Sequence, residues 1–169
     1  CDFDSSTDGG GIIVHGNLNM TGGNIVGNEA YYGGGVYNKG TFTMSAGSTI
    51  GYNFAYWQGG GVSNCNNFTM TGGPIKSNSV GNEDTGSWSG TGIGGGVWNG
   101  YNYTSGTFNM SGGTIEDCTA QRYGGGVEAL RANGIAAGAL NSNNSEAEYR
   151  ETWRRLTAGK LKLLYVSPE

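Results

Sequence analysis

Apolar and polar residues alternate over short runs through the first three quarters of the chain, and the runs recur in the same order. Leu18/Met20, Phe42/Met44, Phe68/Met70 and Phe108/Met110 each flank one polar residue, which puts each pair on one face of a strand. Ile12, Val36, Val62 and Val97 form a second column; Ile25, Ile50, Ile75 and Ile115 form a third. Ala30, Ala55, Val80 and Ala120 form a fourth. Glycine pairs between the runs permit tight corners, so the pattern predicts up to three short strands per repeat and no helix.

The repeats open on glycine triplets at Gly9, Gly33, Gly59, Gly94 and Gly124, with starts 24, 26, 35 and 30 residues apart. The excess length falls before the Gly94 triplet (GNEDTGSWSGTGI) and inside the fourth unit, between Gly100 and Gly106. Such a unit is the length of one coil of a parallel β-helix. A single coil buries about five apolar side chains at roughly 1.5–3 kcal/mol each. Ordering its backbone costs more, at about 1–2 kcal/mol per residue. Coils therefore hold only when stacked, which is why the columns recur. Asn38, Asn64 and Asn99 follow the valines by two, and Asn28, Asn53 and Asn78 follow the isoleucines by three, with Cys118 at the equivalent place in the fourth unit. Stacked asparagines bond along the axis and tolerate left-handed corners, so both columns are read as structural ladders.

Composition sharpens this picture. Of 35 glycines among 169 residues, 32 precede Val127. Residues 1–126 carry 8 acidic and 3 basic side chains, whereas residues 127–169 carry 5 and 6. Two kinds of polypeptide are joined near Val127. The division is residues 1–8 as a leader, 9–126 as Gly-rich repeats and 127–169 as a separate segment. A net charge of −4 with few Lys and Arg disfavours binding to a phosphate backbone, so no nucleic-acid partner is expected of the repeats. No apolar run of about 18 residues exists, so no transmembrane segment is expected.

The phrase IVGNEAYYGGGVY, echoed in IGYNFAYWQGGGVS and IEDCTAQRYGGGV, resembles the paired G-G-[AG]-[ILV] and [FI]-x-x-N repeats of bacterial surface β-helices. These occur in autotransporter passengers and polymorphic outer-membrane proteins, and the fold is pectate-lyase-like. The resemblance covers residues 9–126, departing in having Gly at the third motif position and Ile where Phe is common. It implies an all-β, right-handed parallel β-helix of four to five coils. It also implies a cell-surface or secreted location and a host or cell-surface protein or glycan as partner. The implied role is a non-enzymatic stalk or adhesin, although the family also includes polysaccharide lyases.

Residues 127–169 follow a different pattern. Val127 to Asn133 reads as a short helix stopped by Gly134, and Ile135 to Leu140 as a small apolar run. Ser145 and Glu148 form a capping box for a helix whose Tyr149, Trp153 and Leu156 share one face. Leu161 to Val166 reads as a buried strand, completing a helix-strand-helix-strand α/β fragment. The stretches VEALRANGI, ALNS and LLYVSPE resemble the first motor domain of RecQ-type DNA helicases, a cytoplasmic family. The machinery of that family is missing. No G-x-x-x-x-G-K-[ST] phosphate loop is present, and His15 is the only histidine, so no Asp-Glu-x-His magnesium motif exists. The join suggests a chimera, for which an engineered fusion, a sequence-assembly artefact and a natural recombination all stay open. Leu130, Trp153 and Leu156 are the side chains with which the segment would cap the repeats.

Candidate chemistry is sparse. Asp2/Asp4/Asp8, Glu83/Asp84 and Glu116/Asp117 are acidic groups fit for acid–base work or calcium. None recurs at a fixed place, and the only basic partners are Lys39, Lys76 and Arg122, so surface solvation is the reading preferred. Gly90-Thr-Gly92-Ile-Gly94-Gly95 matches a dinucleotide fingerprint without its strand–turn–helix context, and no cofactor is expected. Trp57, Trp88, Trp98 and Tyr101, with Tyr31, Tyr32 and Tyr56, fall at corners or insertions where aromatics stack on sugars or on proteins. These first four are the candidate ligand-binding residues, with the Trp88 insertion preferred. The polar face of the Phe–Met strands (Asn17/Asn19/Thr21 and its equivalents) predicts a flat three-column lattice, the shape of an ice-binding surface. Cys1, Cys65 and Cys118 lack C-x-x-C spacing, so no zinc site is expected. Cys1 suits either a lipidated first residue or an arbitrary fragment start.

Overall fold

The computed structural model describes residues 8–81, 92–100, 106–128, 137–140, 150, 154 and 163–166. Described residues up to Glu128 are all-β, in short strands that pair parallel in three sheets. The chain divides into two compact units, Cys1–Ala129 and Leu130–Glu169.

Each repeat adds to each sheet in turn. The Val–Asn sheet is built from β1 (Ile12–Val14), β5 (Val36–Asn38), β9 (Val62–Asn64), β12 (Val97–Asn99) and β15 (Val127–Glu128). The Phe–Met sheet holds β2 (Asn17–Met20), β3 (Gly23–Val26), β6 (Thr41–Met44), β7 (Ser48–Gly51), β10 (Asn67–Lys76) and β13 (Thr107–Glu116). The Ala sheet holds β4 (Glu29–Tyr32), β8 (Phe54–Gln58), β11 (Ser79–Val80) and β14 (Thr119–Ala120). In the first two repeats the Phe–Met and Ile runs are separate strands, whereas in the third and fourth they fuse into one.

The columns expected from spacing are the observed registers. Val36 pairs with Ile12 and Val62, and Val97 with Val62 and Val127. Phe42, Phe68 and Phe108 align, as do Met44, Met70 and Met110, and Ile50, Ile75 and Ile115. Val36, Phe42, Met44, Ile50 and Ala55 are wholly buried, as are their third-repeat counterparts Val62, Phe68, Met70 and Ile75. Phe42 and Phe68 stack face to face at 4.8 Å and 6°, and Phe68 meets Phe108 at 4.8 Å and 16°. Offset stacking in this register combines full burial with favourable ring geometry.

The triplets have two separate steric causes. Their first glycine takes a positive φ, as in Gly33 at 63°. At the second, a Cβ on Gly34 would lie 2.3 Å from the Phe54 carbonyl oxygen and 2.6 Å from that of Gly60, so any side chain would push adjacent repeats apart.

Both asparagine columns form ladders inside the stack. Asn28 Nδ2 donates to Asn53 Oδ1, and Asn53 Nδ2 to Asn78 Oδ1, each at 3.0 Å. Asn38 donates to Asn64 at 2.7 Å and Asn64 to Asn99 at 2.6 Å. Cys118 occupies the fourth rung of the first ladder: Asn78 Nδ2 approaches its sulfur at 3.8 Å. That thiol donates toward the Ile75 carbonyl at 3.7 Å, just as Asn78 Nδ2 donates to Ile50 at 3.0 Å. The asparagines themselves do not take the left-handed corner. In the first ladder that conformation falls on the residue before each rung: Gly27 (φ 68°), Tyr52 (55°), Ser77 (52°) and Asp117 (52°). The rung is held by its neighbour, since Asn78 Oδ1 accepts from both the backbone and the side chain of Asn53. The corner must turn one residue earlier.

Among the described residues the expected helix-strand-helix-strand segment is not seen. Val127 and Glu128 are strand, paired with Val97 and Trp98, because the open edge of the fourth repeat supplies backbone partners such as Val97 N–H to Gly126 at 2.9 Å. A local helical pattern is overridden by a non-local edge. In the second unit, β16 (Ala137–Leu140) and β17 (Leu163–Val166) pair parallel, as a small α/β piece would require. Arg150 and Arg154 are helical. Leu130, Trp153, Leu156 and the rest of both expected helices lie outside the described residues.

Candidate functional site

The second repeat carries one more residue than the first between its alanine and its glycine triplet, and the extra residue shapes a surface. In the Ala sheet Glu29 pairs with Phe54 and Ala30 with Ala55, after which the register shifts and Tyr32 pairs with Gln58. Tyr56 and Trp57 thus oppose Tyr31 alone, the arrangement of a β-bulge, which re-aims side chains. Tyr56 lies beside exposed Tyr31, with ring centroids 5.2 Å apart and planes at 38°. Phe54 meets Tyr56 edge-on at 5.0 Å, and the Tyr56 hydroxyl donates to Glu29 Oε1. Glu29, Ala30, Tyr31 and Tyr56, with Asp8, Gly9 and Gly10, line an open depression of about 460 Å³.

Trp57 goes the other way. It meets Tyr32 edge-on at 5.8 Å, and Tyr32 stacks on Tyr37 at 6.2 Å. Tyr32, Tyr37 and Cys65 form a buried cluster against which Trp57 and Trp98 pack, both partly exposed. Lys39 closes one side, 4.8 Å from the Tyr37 ring centre and 3.6 Å from the Asp8 carboxylate. Burial raises the Tyr32 phenol above its usual range, and the Asp8 charge adds to that. Asp8 is buried rather than solvated on the surface, with Lys39 3.6 Å from its carboxylate.

The other expected positions separate clearly. Asn28, Asn53, Asn78, Asn38, Asn64 and Asn99 are ladder residues with internal partners and offer no reactive group. Trp88 and Tyr101 lie outside the described residues, as do Asp2, Asp4, Glu83 and Asp84. Glu116 and Asp117 are exposed at the corner leading to Cys118. Among the described residues no group of three or more His, Cys, Asp or Glu could hold a metal ion, and no helix is long and apolar enough to cross a membrane. The polar lattice has two columns in register, not three: Asn17, Thr41, Asn67 and Thr107, then Asn19, Thr43, Thr69 and Asn109. The third breaks because Thr71 pairs with Gly112 rather than Ser111, and because Ser45 and Thr71 turn their hydroxyls to the Met20 and Met44 carbonyls at 3.4 and 3.3 Å.

Glu29 escaped sequence reasoning. Its signal was the length difference between GNEAYYGGG and YNFAYWQGGG, which marks a bulge beside Tyr56.

Comparison with known proteins gives one short likeness. The chain is 49% identical over 43 residues to the ATP-dependent DNA helicase RecQ of Haemophilus influenzae, and 51% identical over 43 residues to that of Pasteurella multocida. Each match covers 25% of this chain and 7% of the relative. That length equals residues 127–169, where the helicase-like phrases lie. No family model and no solved structure matches the chain.

Proposed function

We propose that residues 9–126 form coils of a right-handed parallel β-helix, and that the chain is a non-enzymatic bacterial cell-surface or secreted module, a stalk or adhesin. The observation that carries this reading is the register: each full repeat adds to each of three parallel sheets, with equivalent side chains directly over one another. Parallel strands joined by crossovers connect with right-handed sense in nearly all sheets. Such a stack grows by repetition and carries its recognition on corners and insertions, as a stalk or adhesin does. The buried asparagines are engaged in ladders, and Asp8, the acid that meets a Lys at the depression, is buried in its ion pair with Lys39; both features disfavour the polysaccharide lyase.

The test is antibody labelling of the source bacterium. Labelling of intact cells is the expected result; labelling only after permeabilisation would overturn the surface reading. Release of unsaturated sugars from a polysaccharide, lost on Glu116→Gln/Asp117→Asn, would replace it with the lyase.

A second reading concerns the tail alone. Its 43-residue likeness to RecQ helicases supports a borrowed fragment fused at Val127, and these 169 residues, which hold neither a phosphate loop nor a magnesium motif, are expected to be inert toward ATP. ATP binding by the purified chain would contradict that inertness. One uninterrupted genomic reading frame running beyond both ends would count against an artefactual join.

A further inference from the structure

We propose that Glu29, Tyr31, Phe54 and Tyr56 form a subsite for one neutral sugar ring of a polysaccharide. The inference rests on the reading of the repeats as a binding module and names the ligand class of that module.

Three features define the ligand. The Tyr31 and Tyr56 rings, 5.2 Å apart and tilted by 38°, lie partly over one another and line the depression as one aromatic side rather than two facing ones, with Phe54 edge-on to Tyr56 at 5.0 Å. A single aromatic wall fits the flat C–H face of a pyranose, whereas a quaternary ammonium is held by rings on several sides. Glu29 stands at the edge of that wall, one oxygen fixed by the Tyr56 hydroxyl. A carboxylate only accepts hydrogen bonds, so its other oxygen selects hydroxyl donors. The remaining side of the depression is the Gly9–Gly10 backbone, which stays low because a Cβ on Gly10 would lie 2.5 Å from the Gly34 carbonyl oxygen.

Charge sets the class. Asp8 also lines the depression but is balanced by Lys39 at 3.6 Å, so among the described residues Glu29 leaves the site with one net negative charge. Uronates and sulfated sugars are repelled, and neutral sugars are admitted. The bulge supplies the specificity of placement. Without the extra residue, a single side chain would have to serve both the wall and the Tyr32 cluster.

The experiment is native affinity electrophoresis of the full chain through gels containing β-glucan, xylan or galactomannan, with polygalacturonate as the acidic counterpart. The expected result is at least twofold retardation by one neutral polysaccharide and none by polygalacturonate. Tyr31→Ala removes the retardation, Tyr56→Phe weakens it by freeing Glu29, and Thr43→Ala on the opposite sheet leaves it unchanged. Tyr31 and Tyr56 are partly exposed, and circular dichroism confirms that each variant folds; Glu29→Gln serves where one does not, and also weakens binding. Absence of retardation by all three neutral polymers overturns the proposal, as does retardation by polygalacturonate alone or full binding by Tyr31→Ala. Intact-cell labelling together with absent sugar binding would sink this subsite and leave the surface module standing.

Discussion

Asn78 Oδ1 accepts two hydrogen bonds from Asn53, one from the backbone N–H and one from the side-chain amide, each at 3.0 Å. Asn53 in turn accepts the same pair from Asn28 and donates to the Ile25 carbonyl. Removing the middle side chain takes from Asn28 the acceptor of its backbone and side-chain N–H groups, from the Ile25 carbonyl its amide donor, and from Asn78 Oδ1 one of its two donors, at about 1–3 kcal/mol for a buried group left unmatched. Asn53→Ala is therefore expected to destabilise the repeats by about 3 kcal/mol. Urea unfolding followed by circular dichroism reads this as a lower midpoint; an unchanged midpoint would show that the ladder contributes nothing net.

Cys118 makes the weakest rung, with Asn78 approaching its sulfur at 3.8 Å. Cys118→Asn restores an amide acceptor and is expected to stabilise by about 1 kcal/mol, the usual net value of one hydrogen bond. Thermal denaturation showing a lower midpoint than the parent would contradict this.

The same thiol imposes a pH dependence. Burial raises its pKa above the ordinary thiol range, opposed by hydrogen bonds from Asn78 and reinforced by the charges of Asp117 and Glu116. The folded state favours the neutral thiol, so its stabilising contribution is complete below the unfolded pKa. It is lost as pH rises through the folded pKa. Stability is expected to fall above about pH 9 in the parent and to fall less in Cys118→Asn. At pH 7.5 the Cys118 peptide should resist alkylation by iodoacetamide in the native protein and react in urea, as peptide mass mapping would show.

Phe68 is the centre of the ring column, wholly buried and stacked at 4.8 Å on both sides. Phe68→Ala is expected to cost about 3–5 kcal/mol, the range for deleting a buried aromatic. Phe108→Ala, at the end of the described column, should cost less. Equal losses in equilibrium unfolding would argue that the column does not act as a continuous stack.

Ser77 holds a left-handed φ of 52° ahead of the Asn78 rung. The conformation costs a non-glycine residue about 1–2 kcal/mol, against about 0.5–1 kcal/mol of added chain entropy for glycine. Ser77→Gly is expected to raise stability by about 0.5–1 kcal/mol, which a shift of the urea midpoint would measure. Gly27 shows that the position accepts the substitution.

The columns of Val, Phe, Met, Ile and Ala could be read directly because, in parallel in-register pairing, the spacing along the chain is the register across the sheet. The ladders were legible for the same reason. The handedness of the corners was not: Asn at a turn suggests its own left-handed φ, whereas the strain falls on Tyr52, Ser77 and Asp117, of which only the aspartate favours it. The bulge could be seen as a length difference, but not which way Tyr56 and Trp57 would part, since that depends on Tyr32 packing from the preceding repeat. Val127 looked helical because propensity is local, and it pairs as strand because Val97 offers an edge.

The rungs of the two amide columns all point the same way. Asn28, Asn53 and Asn78 hand their protons toward the later repeat, and so do Asn38 and Asn64. Their dipoles add head to tail, each bond polarising the next. The two interior columns thus give the stack an electrical direction, with the amide oxygens set toward the early end and the amide hydrogens toward the late one. A repeat inserted upside down would set oxygen against oxygen, so stacks of this kind can lengthen in one orientation only.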